Sequence, residues 1–142
     1  MPNKSSISWE GGMSFDAELN GHHFFIDANE CVGGKDKGPR PKGLLLTALA
    51  GCTGMDVVSI LKKMKIEEYK LNIDVEGDLT DIHPKYYYKI LVKFNFEGKE
   101  LNLVKIKKAV VLSETRYCGV SEMFRKAAEI NTQIYLNGEL TE

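Results

Sequence analysis

The chain has 142 residues, 27% of them charged and 43% hydrophobic, with a net charge of −1. That balance excludes a disordered or collagen-like chain and a polyanion-binding surface spread over the whole molecule. Its three cysteines, an odd count with no C-x-x-C spacing, argue against a disulfide scaffold or zinc ribbon and for a reducing, cytoplasmic setting.

The length suits one domain, residues 1–142, whose core needs no staples. The N-terminal stretch "MPNKSSISWE" lacks the apolar centre of a signal peptide. Residues 5–10 and 14–19 read as short strands around Gly11-Gly12, which suits a tight turn. A third strand, 22–28, is entered through Asn20-Gly21, the strongest hairpin signal in the chain. The three form an antiparallel meander.

Residues 29–41, rich in Gly and Pro, form a loop. A helix starts near Pro41-Lys42 and runs to about Met64, with proline favoured in the first turn and Lys62, Lys63 and Lys65 complementing the negative end of the dipole. Its stretch Leu44–Leu61 is just long enough for a membrane span. Asp56 lies inside it, however, and a central Asp costs about 2.5–3.5 kcal/mol on insertion. The better reading is the buried central helix of a soluble fold, apolar on most sides.

Strand 69–80 alternates Leu71, Ile73 and Val75 with polar residues, and strand 86–98 puts Tyr88, Ile90, Val92, Phe94 and Phe96 on one face. A helix over 102–115 carries Leu103, Ile106 and Val110 at helical spacing. After a break at "RYCG", a short helix spans 120–130, and a strand over 132–140 closes the chain. The order βββ–α–ββ–αα–β, with segregated elements, predicts an α+β fold.

Cys52 lies on the long helix among Ala48, Ala50, Gly51, Thr53 and Gly54. A lone cysteine there is most often a small core hydrophobe, yet such small neighbours leave room for a ligand or a second backbone. Cys118 follows Arg116 and precedes Ser121, which can cap or start the short helix, and Glu122. A thiol beside a helix start and an Arg is where thiolates are stabilised, although a packing cysteine fits equally well. Cys31 reads as an incidental loop thiol. His22 and His23 point to opposite faces of a strand and His83 precedes a proline, so no metal is expected. No cofactor is expected either, because the chain lacks G-x-G-x-x-G and P-loop signatures. Residues 35–42 carry a net charge of about +3, enough for a small anion before the helix but not for a nucleic-acid groove.

Taken together, "GPRPKGLLLTALAGCTGMDVVSIL" and "YCGVSEMF" resemble the OsmC/Ohr family, the osmotically inducible protein C and organic hydroperoxide resistance proteins. "ISWEGGMSFDAEL" and the "DANE" segment also look like that family. "ALAGCTGMDVV" and "RYCGVSEMF" are most similar to its YhfA-like branch. The resemblance covers nearly the whole chain. It implies an OsmC-like fold: an intertwined homodimer in which a long central helix is covered by antiparallel sheets. It also implies a thiol-dependent peroxidase that reduces organic hydroperoxides in the oxidative stress response, with Cys52 as peroxidatic and Cys118 as resolving thiol. A lipoyl or thioredoxin-like dithiol would be the reductant.

Two departures stand out. The family's hydroperoxide reductases pair the reactive thiol with an Arg from the N-terminal hairpin and a Glu just after the helix-starting Pro. Here Lys42 and Gly43 follow Pro41, and the hairpin has no Arg. Arg40, Arg116 and Glu122 are the candidate charge partners, with Glu30 a further carboxylate. The departures keep two rivals open. One is a non-catalytic binding protein for a small apolar or anionic ligand on the same dimer. The other is a redox-sensing thiol pair without turnover. Neither nucleic acid nor membrane is an expected partner.

Overall fold

Strand-forming residues and tight turns dominate the start of the chain. In the computed structural model, which describes residues 1–141, β1 (Ser5–Trp9), β2 (Phe15–Leu19) and β3 (His22–Ile26) form an antiparallel sheet in chain order. Asn20 and Gly21 both take positive φ (52° and 78°) at the β2–β3 turn, the combination a two-residue hairpin needs to match strand twist. The loop that follows holds a short 3-10 turn, Glu30–Val32, opened by Asn29, whose side chain accepts from the Cys31 N–H.

The loop folds back on β3 and is pinned by Asp27, which is buried. The Asp27 carboxylate accepts from the backbone N–H groups of Ala28, Lys35 and Lys37 at 2.7, 3.2 and 3.2 Å. Burial works to raise its pKa, but these three donors outweigh it and hold the carboxyl below its ordinary value of 3.8. The approach is close enough to need glycine. A Cβ at Gly34 would lie 1.9 Å from the Ala28 carbonyl oxygen, and one at Gly38 would lie 2.0 Å from that of Phe25.

Met1–Leu45 and Leu46–Glu142 form two compact units. The second contains most of α1 (Gly43–Lys63), then β4 (Lys70–Leu79), β5 (Tyr87–Glu97), α2 (Leu103–Leu112), a π-helical turn (Ser113–Tyr117), α3 (Gly119–Arg125), β6 (Glu129–Leu136) and β7 (Glu139–Thr141). Past α1, the Ile66 N–H reaches the Leu61 carbonyl and the Lys65 N–H that of Lys62, with Lys65 at φ 63°. This is a Schellman-type stop with lysine in the left-handed position.

The second sheet has the order β4-β5-β6-β7. It is mixed rather than wholly antiparallel, because β5 and β6 run parallel while the other pairs are antiparallel. A parallel pair needs a long crossover, which α2, the π-helical turn and α3 supply. The closing strand expected over 132–140 is a hairpin instead. Asn137 and Gly138, at φ 48° and 84°, make its turn, the same dipeptide that joins β2 to β3.

The core of this unit gathers Leu49, Val57 and Leu61 of α1, Ile90, Val92, Phe94 and Phe96 of β5, Ile106, Ala109 and Val110 of α2, and Ile134 of β6. Leu71, Ile73 and Val75 pack against it from β4. The β5 face holds from Ile90 to Phe96 but not at Tyr88, which is exposed. Asp78 pairs with Lys89 and Leu79 with Tyr87, so a bulge at Tyr88 breaks the alternation. Tyr87 turns inward in its place, over Gly77, where a Cβ would meet the ring at 2.6 Å.

Burial along α1 is confined to one stripe, Leu49, Thr53, Val57 and Leu61, four residues apart and therefore one above the other. Thr53 is tolerated there because its hydroxyl donates to the Leu49 carbonyl at 2.9 Å. Within one chain the cover of the central helix is thus partial: Met55 is 77% exposed and Val58 45%. By length and composition α1 would also cross a membrane.

Candidate functional site

The α1 stripe is flanked by Cys52 and Asp56, one helical turn apart and so on the same side of the helix. Opposite them comes Cys118, at the junction between the π-helical turn and α3. The widened turn ends where the Cys118 N–H donates to the Ser113 carbonyl at 2.8 Å. Cys118 then leaves helical geometry (φ −77°, ψ 103°) and becomes the N-cap of α3. Its Sγ accepts from the Ser121 N–H at 3.3 Å. The cap is therefore the cysteine itself, not Ser121 as the residue types suggest, because a thiol sulfur can fill the acceptor role usually taken by a hydroxyl.

The two sulfurs and an Asp56 carboxylate oxygen all lie within 4.8 Å of one another. All three cysteines are free thiols; Cys118 is 4% exposed, Cys52 is half-buried and Cys31 is exposed. Asp56 is oriented by the fully buried Ser113, whose hydroxyl donates to Oδ2 at 3.0 Å. Burial pushes the Cys52 thiol above its ordinary pKa. The Cys118 side chain adds to this, the nearby Val120 backbone N–H works against it, and the Asp56 charge raises it further.

A recess of about 280 Å³ opens beside Cys118, lined by Glu114, Thr115, Arg116, Tyr117, Gly119 and Glu122. Arg116 is exposed on its rim, and Glu122 is engaged with Arg125 at 3.0 Å. Glu114 accepts from the Thr132 hydroxyl on β6. Burial raises its pKa, against that hydrogen bond and the Arg125 charge.

Two of the candidate charge partners thus border the recess beside Cys118. Arg40 belongs to the first unit, where its guanidinium meets Asp36 at 2.6 Å and the Gly38 carbonyl at 2.9 Å. The backbone of Lys35 and Lys37 is committed to Asp27 in the same loop. Glu30 is exposed in the 3-10 turn. The carboxylate beside the thiols is Asp56, which sequence reasoning used only against a membrane span. Its position one turn after Cys52 was the available signal.

Comparison with known proteins places the chain in a family. The family model described as OsmC-like protein matches residues 34–133. The chain is 30% identical over 128 residues to Protein YhfA of Escherichia coli K12, covering 89% of this chain and 92% of that one. A hypothetical protein from Aquifex aeolicus VF5 has a solved structure similar to this one, with TM-score 0.81, 25% identity and coverage of 96% of this chain and 98% of that one. The organic hydroperoxide resistance protein OhrB of Bacillus subtilis shares the fold at TM-score 0.63 and 19% identity, over 96% of this chain and 98% of its own. With the family model spanning most of the chain and both cysteine motifs in place, the chain belongs to the OsmC/Ohr family, in its YhfA-like branch.

Proposed function

We propose that the protein is a thiol-dependent peroxidase that reduces organic hydroperoxides through Cys52 and Cys118, with a role in resistance to oxidative stress. The observation that carries the reading is the approach of the two sulfurs within 4.8 Å across elements far apart in sequence. Family membership and the fold shared with an organic hydroperoxide resistance protein support it. Cys52 is the more accessible of the two, as the attacking thiol should be. Once deprotonated, its thiolate attacks the distal peroxide oxygen, the O–O bond breaks, and the alkoxide leaves as an alcohol after taking a proton. Cys118 displaces hydroxide from the sulfenic acid, giving the disulfide and water. An external dithiol of the lipoyl or thioredoxin class then reduces the pair by exchange.

The chain acts as a homodimer in this proposal. The support is α1, which leaves Leu45, Met55 and Val58 exposed within its own chain. A second copy laid along it would cover Met55 and Val58 and close an apolar pocket over Cys52, of the kind that suits an organic substrate.

The raised Cys52 pKa favours a second reading. A thiol whose pKa is pushed up by burial, with a carboxylate beside it, is slower to react. On that ground the rival is a non-catalytic binding protein for a small apolar or anionic ligand, seated on the same fold. Stopped-flow consumption of cumene hydroperoxide with dihydrolipoamide separates the two. The peroxidase turns over, Cys52→Ser loses turnover by at least about a thousandfold, and Cys118→Ser stops after one equivalent of oxidation. Turnover unchanged in Cys52→Ser sinks the proposal. Absence of turnover in the wild type, with a fatty acid retained in native mass spectrometry, selects the rival.

A further inference from the structure

Asp56 has no task in the thiol–disulfide exchange, yet it is held beside both sulfurs by a buried hydroxyl. We propose that Cys52, Asp56 and Cys118 form a binding site for a thiophilic divalent cation, Zn²⁺ by chemistry, with a fourth position open to water.

The donor set comes first. Two thiolates select Zn²⁺ over Mg²⁺ and Ca²⁺, which prefer all-oxygen shells. One carboxylate and two thiolates are three charges facing two, which is compatible with an open fourth site. Geometry comes second. At Zn–S distances of about 2.3 Å, tetrahedral ligand atoms stand roughly 3.8 Å apart. The three atoms here lie within 4.8 Å of one another, so closing on the ion takes movements on the order of 1 Å. The supporting shell comes third. Ser113 donates to Asp56 Oδ2, leaving the other oxygen for the metal, as a ligand carboxylate is commonly held. The Ser121 N–H donates to the Cys118 sulfur at 3.3 Å, a backbone donor of the kind often found on metal-bound thiolates.

Such binding releases the thiol protons to water. It occupies the same two sulfurs that a disulfide would join, so the metal-bound and oxidised states exclude each other. Zn²⁺ therefore keeps the pair reduced and out of reaction until it is removed. The site rests on the donor geometry and not on the peroxidase reading.

Co²⁺ titrated into the reduced full-length protein under anaerobic conditions provides the test. The expected result is a sulfur-to-cobalt charge-transfer band with tetrahedral ligand-field bands, saturating at one ion per chain and displaced by Zn²⁺. Cys31→Ser keeps the spectrum, Cys52→Ser and Cys118→Ser abolish it, and Asp56→Asn weakens binding by at least about tenfold. Ser113→Ala weakens it by about 10–100-fold, as loss of a supporting group does. In the wild type, Zn²⁺ protects Cys52 and Cys118, but not Cys31, from iodoacetamide, read by mass spectrometry without any variant. No charge-transfer band, alkylation of Cys52 and Cys118 unaffected by Zn²⁺, or equal affinity in Asp56→Asn each overturns the proposal. No hydroperoxide or reductant enters the assay, so its failure leaves the peroxidase reading standing, and the reverse.

Discussion

Asp27 and Asp56 use the same side chain for different ends. Asp27 is ringed by backbone donors and held ionised, which ties the loop to β3. Its folded pKa lies below its ordinary value, so it stabilises the fold above the unfolded pKa, and that contribution is lost as pH falls through the folded one. Asp27→Asn should therefore be less stable than the wild type at neutral pH, with the gap narrowing below about pH 4. Urea melts followed by the fluorescence of Trp9, the one tryptophan, measure the gap. A gap that does not change with pH would mean the carboxylate charge is not what holds the loop. Among the described residues, Asp56 has one side-chain donor, Ser113, and two thiols beside it. Burial is the main cause that raises the Cys52 pKa, and the Asp56 charge acts in the same direction.

Among the elements, β5 carries the fold. Ile90, Val92, Phe94 and Phe96 are at most 2% exposed, and the strand pairs on both edges, with β4 and β6. Phe94→Ala should cost about 3–5 kcal/mol, the range for truncating a buried aromatic. It should appear as a lower urea midpoint with an unchanged m-value, while Val111→Ala, on the exposed side of α2, should stay within about 0.5 kcal/mol. Equal shifts in the two variants would misplace the core. The crossover from β5 to β6 matters for a second reason. Because it returns the chain parallel to β5, it lays the π-helical turn against α1 and brings Cys118 to Cys52. The turn itself was legible only as a break at "RYCG", since five-residue hydrogen bonding has no periodicity of its own to read.

At the scale of the whole molecule, α1 is the element that bears on the proposed assembly. A soluble chain rarely leaves a helix this apolar with only four of its 21 residues buried. In the homodimer proposed above, the wild type sediments as a dimer at micromolar concentration. Met55→Lys, at a position 77% exposed within the chain, shifts it toward monomer with unchanged far-ultraviolet circular dichroism. A wild type that sediments as a monomer would remove the dimer. Sedimentation with lipid vesicles would favour insertion of α1 instead.

What the amino-acid sequence determined by itself is what local rules govern. Alternation along 71–75 and 90–96, the Asn20-Gly21 hairpin and the apolar run of α1 are written in neighbouring residues, and so were the elements they make. The paired motifs around Cys52 and Cys118 identified the family for the same reason. The Asn137-Gly138 hairpin is equally local, an Asn-Gly pair inside the stretch expected as one strand over 132–140. Tertiary structure alone decided the rest. Tyr88 points out because a bulge slips one residue between two registers. Cys118 caps α3 because a widened turn rotates it out of the helix. Asp56 joins the thiols because Ser113, from another element, holds it there. Each depends on contacts between segments distant in sequence, where closure of the chain, not the preference of any residue, sets the geometry.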